Sequence, residues 1–533
     1  MEKNSNFDYP EIDLSLVTFN SARWIDDFFS SLRTQSYPLN KIHVFIRDNG
    51  STDETIPSLE RAHLCHPDFA SFQIELGSNV GFGQGHNVNL GKGRSSFYLV
   101  SNLDLTFEAD AIAGIVSRAL SDEISVASWE FRQKPYEHPK YYNPITMQTT
   151  WSSSACILFR REAIVQVGGY EPRIFMYGED VELSYRLRSA GYVLKYHPSA
   201  VCWHYTYGAI AEVKPLQFIG SKLGNAYIRL RYGNLWQIAE ICPLFMALLF
   251  LPQRFSGQRK AVLKAIVQLL RNAPYFLAKR KASSAKFPFN YFDYERSRPG
   301  AFYENNPLPP VLPLVSVIIR TTQGRQSCLK EAVSSVLNQT YPNIELIVVE
   351  EGSITCGDFM QEISARNVLS SVSYFNIESG GRGKAGNVAL TVVAGEFMCF
   401  LGDDDLFFAD HIEVLVQALL VRKEASGAYG AAWQVATRVI SAIGYKYANI
   451  RYNLIGNETV NCASPPHKQM LSIQSVLFVK SLYDECGGFN EHMENLEDEE
   501  LLLRYTASHE FVSVSKLTSL HRVSDSSKAP SPL

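Results

Sequence analysis

The chain has no Cys-x-x-Cys spacing among its nine cysteines, no basic stretch leading into an apolar one at its start, and no apolar run of bilayer length. The scattered cysteines exclude a zinc ribbon and a secreted disulfide framework, and fit a reducing compartment. The first residues, Met1 to Pro10, are polar and acidic, so no signal peptide is expected. The longest apolar run, Ile241 to Leu251, contains Pro243 and falls well short of the roughly 20 residues a spanning helix needs. Excess positive charge is also lacking: the formal net charge is −4, which excludes a broad nucleic-acid-binding surface. No segment is low in complexity, and 46% hydrophobic with 20% charged residues is the balance of a globular protein. At 533 residues the chain outgrows a single core. These features together predict a cytoplasmic protein of several domains.

What is present is a repeat. Ile12 to Thr18 reads as a strand, a helical pattern follows through Trp24, Phe28 and Leu32, and the strand Ile42 to Ile46 runs into Asp48-Asn49-Gly50-Ser51-Thr52-Asp53. Downstream the order returns: a strand over Leu314 to Ile319, a helix over Leu329 to Leu337, and a strand from Ile344 to Val349 ending in Glu350-Glu351-Gly352-Ser353. Phe97 to Val100 leads into Asn102-Leu103-Asp104, as Phe397 to Leu401 leads into Asp403-Asp404-Asp405. Gly168-Gly169-Tyr170 precedes Glu179-Asp180, as Gly487-Gly488-Phe489 precedes Glu497-Asp498, and each copy closes on a histidine, His204 and His521. Five matches in one order make a duplicated domain the economical reading. Alternating strands and helices predict an α/β fold with a mostly parallel sheet covered on both faces. Ligands of such sheets sit beyond the carboxyl ends of the strands, where Asp48, Asp104 and their counterparts fall.

The expected domains are 1–210, a helical region and connector over 211–310, and 311–533. The helical part carries Lys222, Arg229, Arg231, Arg254, Arg259 and Lys260 beside apolar stretches. Two readings stay open for it: a surface that lies on anionic lipid, or plain packing against the domains.

A sugar nucleotide asks three things of an enzyme: a cation-holding carboxylate set for the leaving diphosphate, a base for the acceptor hydroxyl, and a cleft for the nucleotide. The first copy resembles glycosyltransferase family 2, rhamnosyltransferase-type members above all. The resemblance rests on Val17-Thr18-Phe19-Asn20, Asp48 to Asp53, Asn79-Val80-Gly81-Phe82-Gly83-Gln84-Gly85-His86-Asn87, Asn102-Leu103-Asp104, Gly168-Gly169-Tyr170, Glu179-Asp180 and His204. It implies two tandem GT-A-type (Rossmann-like) nucleotide-sugar-binding domains. It further implies that Thr18, Asp48, Asn79, Gly81 and Asn87 bind the nucleotide sugar, with Asp48 on the base. Asn102 and Asp104 then stand at the D-x-D metal positions, His204 completes the metal site, and Asp180 is the general base. The residues alone also allow Asp48 and Asp53 to fix their turn, Asp104 to cap a helix, and His204 to pack in an aromatic stretch. Glu182 and Arg186 have the i,i+4 spacing of a structural pair.

The second copy departs in places. Glu351 is taken as standing where the family usually has aspartate, Thr321-Thr322 replaces the usual start, and Gly402 takes a position often acidic. Three adjacent carboxylates, Asp403 to Asp405, repel unless solvated or bound to a cation. Arg382, Lys384 and Asn387 suit a phosphate-facing loop. By resemblance Asp404 and Asp405, with His521, hold the metal, and Asp498 is the base. The expectation is a bifunctional, inverting, Mg²⁺- or Mn²⁺-dependent glycosyltransferase. It would use a dTDP- or UDP-sugar and a glycan or lipid-linked glycan acceptor, as in surface polysaccharide synthesis, with peripheral contact at the inner face of a membrane. The alternative is one active copy and one non-catalytic binding or scaffold copy. A glycoside hydrolase also needs two carboxylates but no phosphate loop.

Overall fold

Each repeat folds as one nine-stranded sheet, and the strand orders are identical. In the first, the strands are β1 (Ile12–Thr18), β2 (Ile42–Asp48), β3 (Ser71–Leu76), β4 (Phe97–Ser101), β5 (Leu105–Phe107), β6 (Val126–Lys134), β7 (Gln148–Thr149), β8 (Cys156–Arg160) and β9 (Val193–His204). They lie in the order β3-β2-β1-β4-β8-β6-β9-β5, with β7 on β9. The second has β10 (Val315–Thr322), β11 (Ile344–Glu351), β12 (Ser371–Ile377), β13 (Phe397–Gly402), β14 (Leu406–Phe407), β15 (Gly427–Ser441), β16 (Lys446–Ile455), β17 (Val476–Val479) and β18 (Phe511–Ser524). Their order is β12-β11-β10-β13-β17-β15-β18-β14, with β16 on β15. This computed structural model describes residues 8–206, 213–280, 285, 287–301, 308–441, 446–456 and 471–524. The expected limit at 210/211 lies outside the described residues.

The sheets are mixed rather than mostly parallel. β1, β2, β3 and β4 pair in parallel, as crossover helices require, but β8 runs antiparallel to both β4 and β6, and β5 antiparallel to β9. The α/β reading holds for the parallel half of each sheet. Its remainder is made of strands whose alternation resembles any half-buried strand, so their direction was not legible.

Period-2 alternation splits each strand between two cores. Phe97 and Leu99 face a layer holding the helices Ala22–Arg33, Thr55–Cys65 and Ala111–Ser121, while Tyr98 and Val100 face Phe82–Lys92, Arg161–Gln166 and Glu179–Ser189. The second unit repeats this, Phe397 and Cys399 against Met398 and Phe400.

The chain divides into two compact units, the first within Met1–Asn143 and Met147–Glu304, the second within Pro144–Thr146 and Asn305–Leu533. The helices Pro215–Tyr232, Ile241–Phe250 and Gln258–Ala278 belong to the first, closing a core through Tyr227, Phe245, Val262 and Phe276 with Ile174. Arg229 and Arg231, two of the basic residues for which lipid contact and packing were both open, are buried. Arg229 pairs with Glu240 at 2.5 Å, and Arg231 pairs with Glu171 at 2.7 Å and with Glu182. Such charges stay inside only because each has a partner. No helix of the described residues is long and apolar enough to cross a membrane.

Candidate active site

The first unit's site begins where β1 and β2 end side by side, Thr18 opposite Asp48. Asp48 is buried, and its carboxylate accepts hydrogen bonds from the Thr18 hydroxyl (2.8 Å), the Gly50 and Ser51 amides (2.9 Å each) and the Ser51 hydroxyl (2.5 Å). Gly50 sits at φ +83°, which favours glycine. In the second unit Thr321 lies opposite Glu350. Glu350, not Glu351, is therefore the counterpart of Asp48, and it accepts from the Thr355 and Cys356 amides and the Tyr374 hydroxyl. Glu351 stands level with Asn49 and accepts from the Gly380 and Gly381 amides at 2.9 and 2.8 Å. Two consecutive glutamates hid this one-residue offset.

The loop Asn79–Gly81 turns on the Gly81 amide donating to Asn79 Oδ1 at 3.0 Å. A Cβ on Gly81 would lie 2.4 Å from the Phe175 carbonyl oxygen, so only glycine fits. Asn87 and Asn387, expected on the nucleotide sugar, are both engaged as clamps. Asn87 accepts from the Tyr170 amide at 2.7 Å and donates to its carbonyl at 2.9 Å; Asn387 does the same to Phe489, at 2.7 and 3.0 Å. The Lys384 ammonium donates to the Ser379 carbonyl at 3.0 Å.

Beyond β4 the first unit gathers Asn102, Asp104 and His204 at one side of a cavity of about 490 Å³ that Asp180 also lines. His204 Nε2 lies 3.2 Å from Asp104 Oδ1 and 3.4 Å from the Asn102 amide nitrogen, while Nδ1 faces Gln133 Oε1 at 2.9 Å. Gln133 carries no sequence signal, yet it fixes the ring so that Nε2 faces the acids, the second-sphere arrangement of a metal-bound imidazole. Burial pushes the Asp104 carboxyl up, but His204 and the Thr206 hydroxyl reverse this and hold it at about 2. A carboxylate, an imidazole and an amide oxygen form a donor set that suits a divalent cation.

Asp180, in the first turn of Glu179–Ser189, accepts from the Val181 amide at 2.8 Å and the Ser154 amide at 3.4 Å. Burial raises its pKa, and burial with the Asp180 charge raises that of Glu179 well above the ordinary range. Glu179 Oε2 has no hydrogen-bond partner among the described residues. Nearby, Lys140 pairs with Glu130, whose carboxyl burial pushes up to about 7 despite that partner. Neither Lys140 nor Glu130 falls in a repeat motif, so sequence reasoning missed them.

The second unit's site is built differently around a cavity of about 1040 Å³. Counting from the strand starts Phe97 and Phe397, Asp404 is level with Asp104 and Gly402 with Asn102. Asp403 accepts from Arg325 Nε and Nη2 (2.7 Å each) and from the Thr321 hydroxyl at 2.7 Å. Asp405, expected as a metal ligand, is buried and accepts from the Arg522 amide at 2.8 Å, with His521 Nδ1 at 3.2 Å. Burial lowers the His521 pKa, but the charge and hydrogen bond of Asp405 reverse this and raise it. Asp404 faces the cavity but pairs with Arg325 Nη2 at 3.0 Å; burial, Asp405 and Asp403 push it up to about 6. Asp498 is gripped by Arg320 Nη2 at 2.8 and 3.0 Å, and Glu497 pairs with Arg382 Nε at 3.0 Å.

The sequence profile described as "Glycosyl transferase family 2" matches residues 14–181 and 316–451. A glycosyltransferase of Rickettsia felis is 30% identical over 216 residues, 39% of this chain and 34% of that protein, so the chain spans about a third of that relative's length. An N-acetylglucosaminyl-diphospho-decaprenol L-rhamnosyltransferase of Mycobacterium tuberculosis is 38% identical over 269 residues, 42% of this chain and 85% of that one. Among solved structures, a mannosyltransferase from Pyrobaculum calidifontis in complex with GDP-Man and Mn²⁺ aligns with TM-score 0.34 and 17% identity, covering 51% of this chain and 73% of that one. With both repeats matched over more than half its length, the chain belongs to glycosyltransferase family 2.

Proposed function

We propose that the first unit transfers a sugar from a dTDP- or UDP-sugar to a glycan acceptor with inversion, and that its Asp180 is the general base. The observation that carries this is Asp180 at the cavity with Asn102, Asp104 and His204, its carboxylate made more basic by burial. As the acceptor oxygen attacks the anomeric carbon and the bond to the diphosphate breaks, the acceptor's proton passes to Asp180. Asn102, Asp104 and His204 would hold Mg²⁺ or Mn²⁺, which supplies charge neutralisation for the departing diphosphate. Thr18, Asp48, Asn79 and Gly81 shape the nucleotide end. Replacing Asp180 by Asn and following nucleotide release across a panel of sugar nucleotides tests this. A fall of about 10²–10⁴-fold is expected, the usual worth of a general base, and unchanged turnover removes the assignment.

The parts 1–210, 211–310 and 311–533 serve different ends in this reading. Bifunctional transfer needs Asp498 as a second base, and the hold of Arg320 Nη2 on both its oxygens favours the alternative of one transferring centre. The helical part points to a lipid-linked acceptor at the inner face of a membrane. No Asp or Glu occurs from Ile241 through Asn290. The helix Gln258–Ala278 buries Val262, Ala265, Leu269 and Phe276, yet exposes a second stripe of Leu263, Val267, Leu270 and Leu277 beside Lys260, Lys264 and Arg271. Exposed apolar and basic residues side by side suit an anionic lipid surface. Reversing Lys260, Lys264 and Arg271 to Glu should abolish sedimentation with phosphatidylglycerol vesicles, and unchanged sedimentation ends the idea.

A further inference from the structure

The two units differ at three equivalent positions around their cavities. Strand register makes Arg320 the counterpart of Val17, because Ile319 pairs with Leu401 as Leu16 pairs with Ser101. Arg325 precedes the helix Gln326–Leu337 as Ser21 precedes Ala22–Arg33. Arg382 follows Gly381 as Phe82 follows Gly81, at equal spacing from the clamps Asn87 and Asn387. At these three positions the second cavity thus has guanidinium groups and the first has none. Most of the carboxylates there are already engaged. Asp403 is held by Arg325 and Thr321, Asp405 by the Arg522 amide and His521, Glu351 by two loop amides, and Asp498 by Arg320. Asp404 faces the cavity with Arg325 on it at 3.0 Å, and Glu499 lines the cavity from its exposed side. This set does not fit the divalent cation that the first unit's donors suit.

We propose that the second unit binds a diphosphate-bearing ligand with Arg320, Arg325 and Arg382 and without a divalent cation. Each guanidinium exchanges a carboxylate for phosphate oxygens, which it meets through the same planar fork of donors. The ligand adds its negative charge to a cavity whose carboxylates stay in place, and the exchange frees Asp498 from Arg320, and Asp403 and Asp404 from Arg325. The inference rests on reading the second unit as a nucleotide-sugar-type cavity, but it concerns binding rather than transfer.

Calorimetric titration of the full-length chain with inorganic pyrophosphate tests it. In EDTA, one equivalent should bind; with Mn²⁺ a second should appear, and Asp104→Asn should remove only that second one. Arg320→Gln and Arg325→Gln should each weaken the EDTA-resistant equivalent at least tenfold. Arg325→Lys, which keeps the charge but not the fork, should fall between, separating lost recognition from a lost fold. No binding in EDTA, or EDTA-resistant binding untouched by the arginine changes, overturns the proposal. Asp180→Asn should leave the titration unaltered while stopping transfer, so failure of the first unit's assignment shows separately.

Discussion

The acidic pair at the head of the same helix sits in opposite surroundings in the two units. Glu179 and Asp180 are sunk in the first without a guanidinium near them, and burial raises both. Glu497 and Asp498 are met by Arg382 and Arg320, drawn from positions that hold Phe82 and Val17 in the first. The turn before the helix is left-handed in both, at Gly178 (φ +96°) and at Leu496 (φ +64°). A buried carboxylate with no guanidinium on it is free to accept a proton; one held by an arginine is an exchangeable anchor. The two units share the strand order and the acids, and arginine at three positions of the second changes what its acids touch.

A glutamate one turn further along sharpens the contrast through stability. Glu182 is fully buried and accepts from Arg186 at 3.0 and 2.9 Å, from Arg231, and from the Tyr232 hydroxyl at 3.2 Å. Its counterpart Glu500 pairs with Arg504 at 2.7 Å with both side chains about 30% exposed. Glu182→Gln leaves Arg186 without its acid and Arg231 on Glu171 alone, and should cost about 3 kcal/mol, whereas Glu500→Gln should cost less than about 1 kcal/mol. Hydrogen exchange in mild urea, read on the helices Glu179–Ser189 and Glu497–Thr506, gives the two costs in one chain. Equal effects would break the contrast. The clamps supply the matched control: Asn87→Ala and Asn387→Ala each lose the paired bonds to one residue, and each should cost about 1–2 kcal/mol by the same measurement. A marked inequality would mean that the repeated motif no longer carries the same weight.

The duplication, the α/β class and the glycine-punctuated loops were legible because each rests on local order: period-2 strands, the Gly50 turn, the motif spacings. The antiparallel half of each sheet was not, since a strand's pattern states that it is half-buried and not which way it runs. Of the site, Asn102, Asp104, His204 and Asp180 were marked out by the repeat and given roles by the family resemblance, and they line one cavity. Gln133, Lys140 and Arg325 were not, because they reach the site through tertiary contacts with no fixed offset from any motif. The Glu350–Glu351 offset shows the reverse hazard: in a run of like residues only strand register distinguishes which one faces its neighbour.

The smallest expected effect turns on the sign of the Asp180 shift. Its pKa is raised in the folded chain, chiefly by burial, so folding disfavours its charged form. The penalty is absent below the pKa of the unfolded chain and grows as pH rises from that value to the folded one. Above that it is constant. Transfer should therefore have an acid limb lying above the ordinary carboxylate range, since the base is lost once protonated. Asp180→Asn removes the buried charge along with the base. The variant should show a slightly higher melting temperature than the native chain at pH 8, and no advantage at pH 3 where both side chains are neutral. A loss of stability at pH 8 would mean that Asp180 is held by a favourable partner in the folded state, as Asp498 is by Arg320, and that the two units are more alike than their arginines suggest.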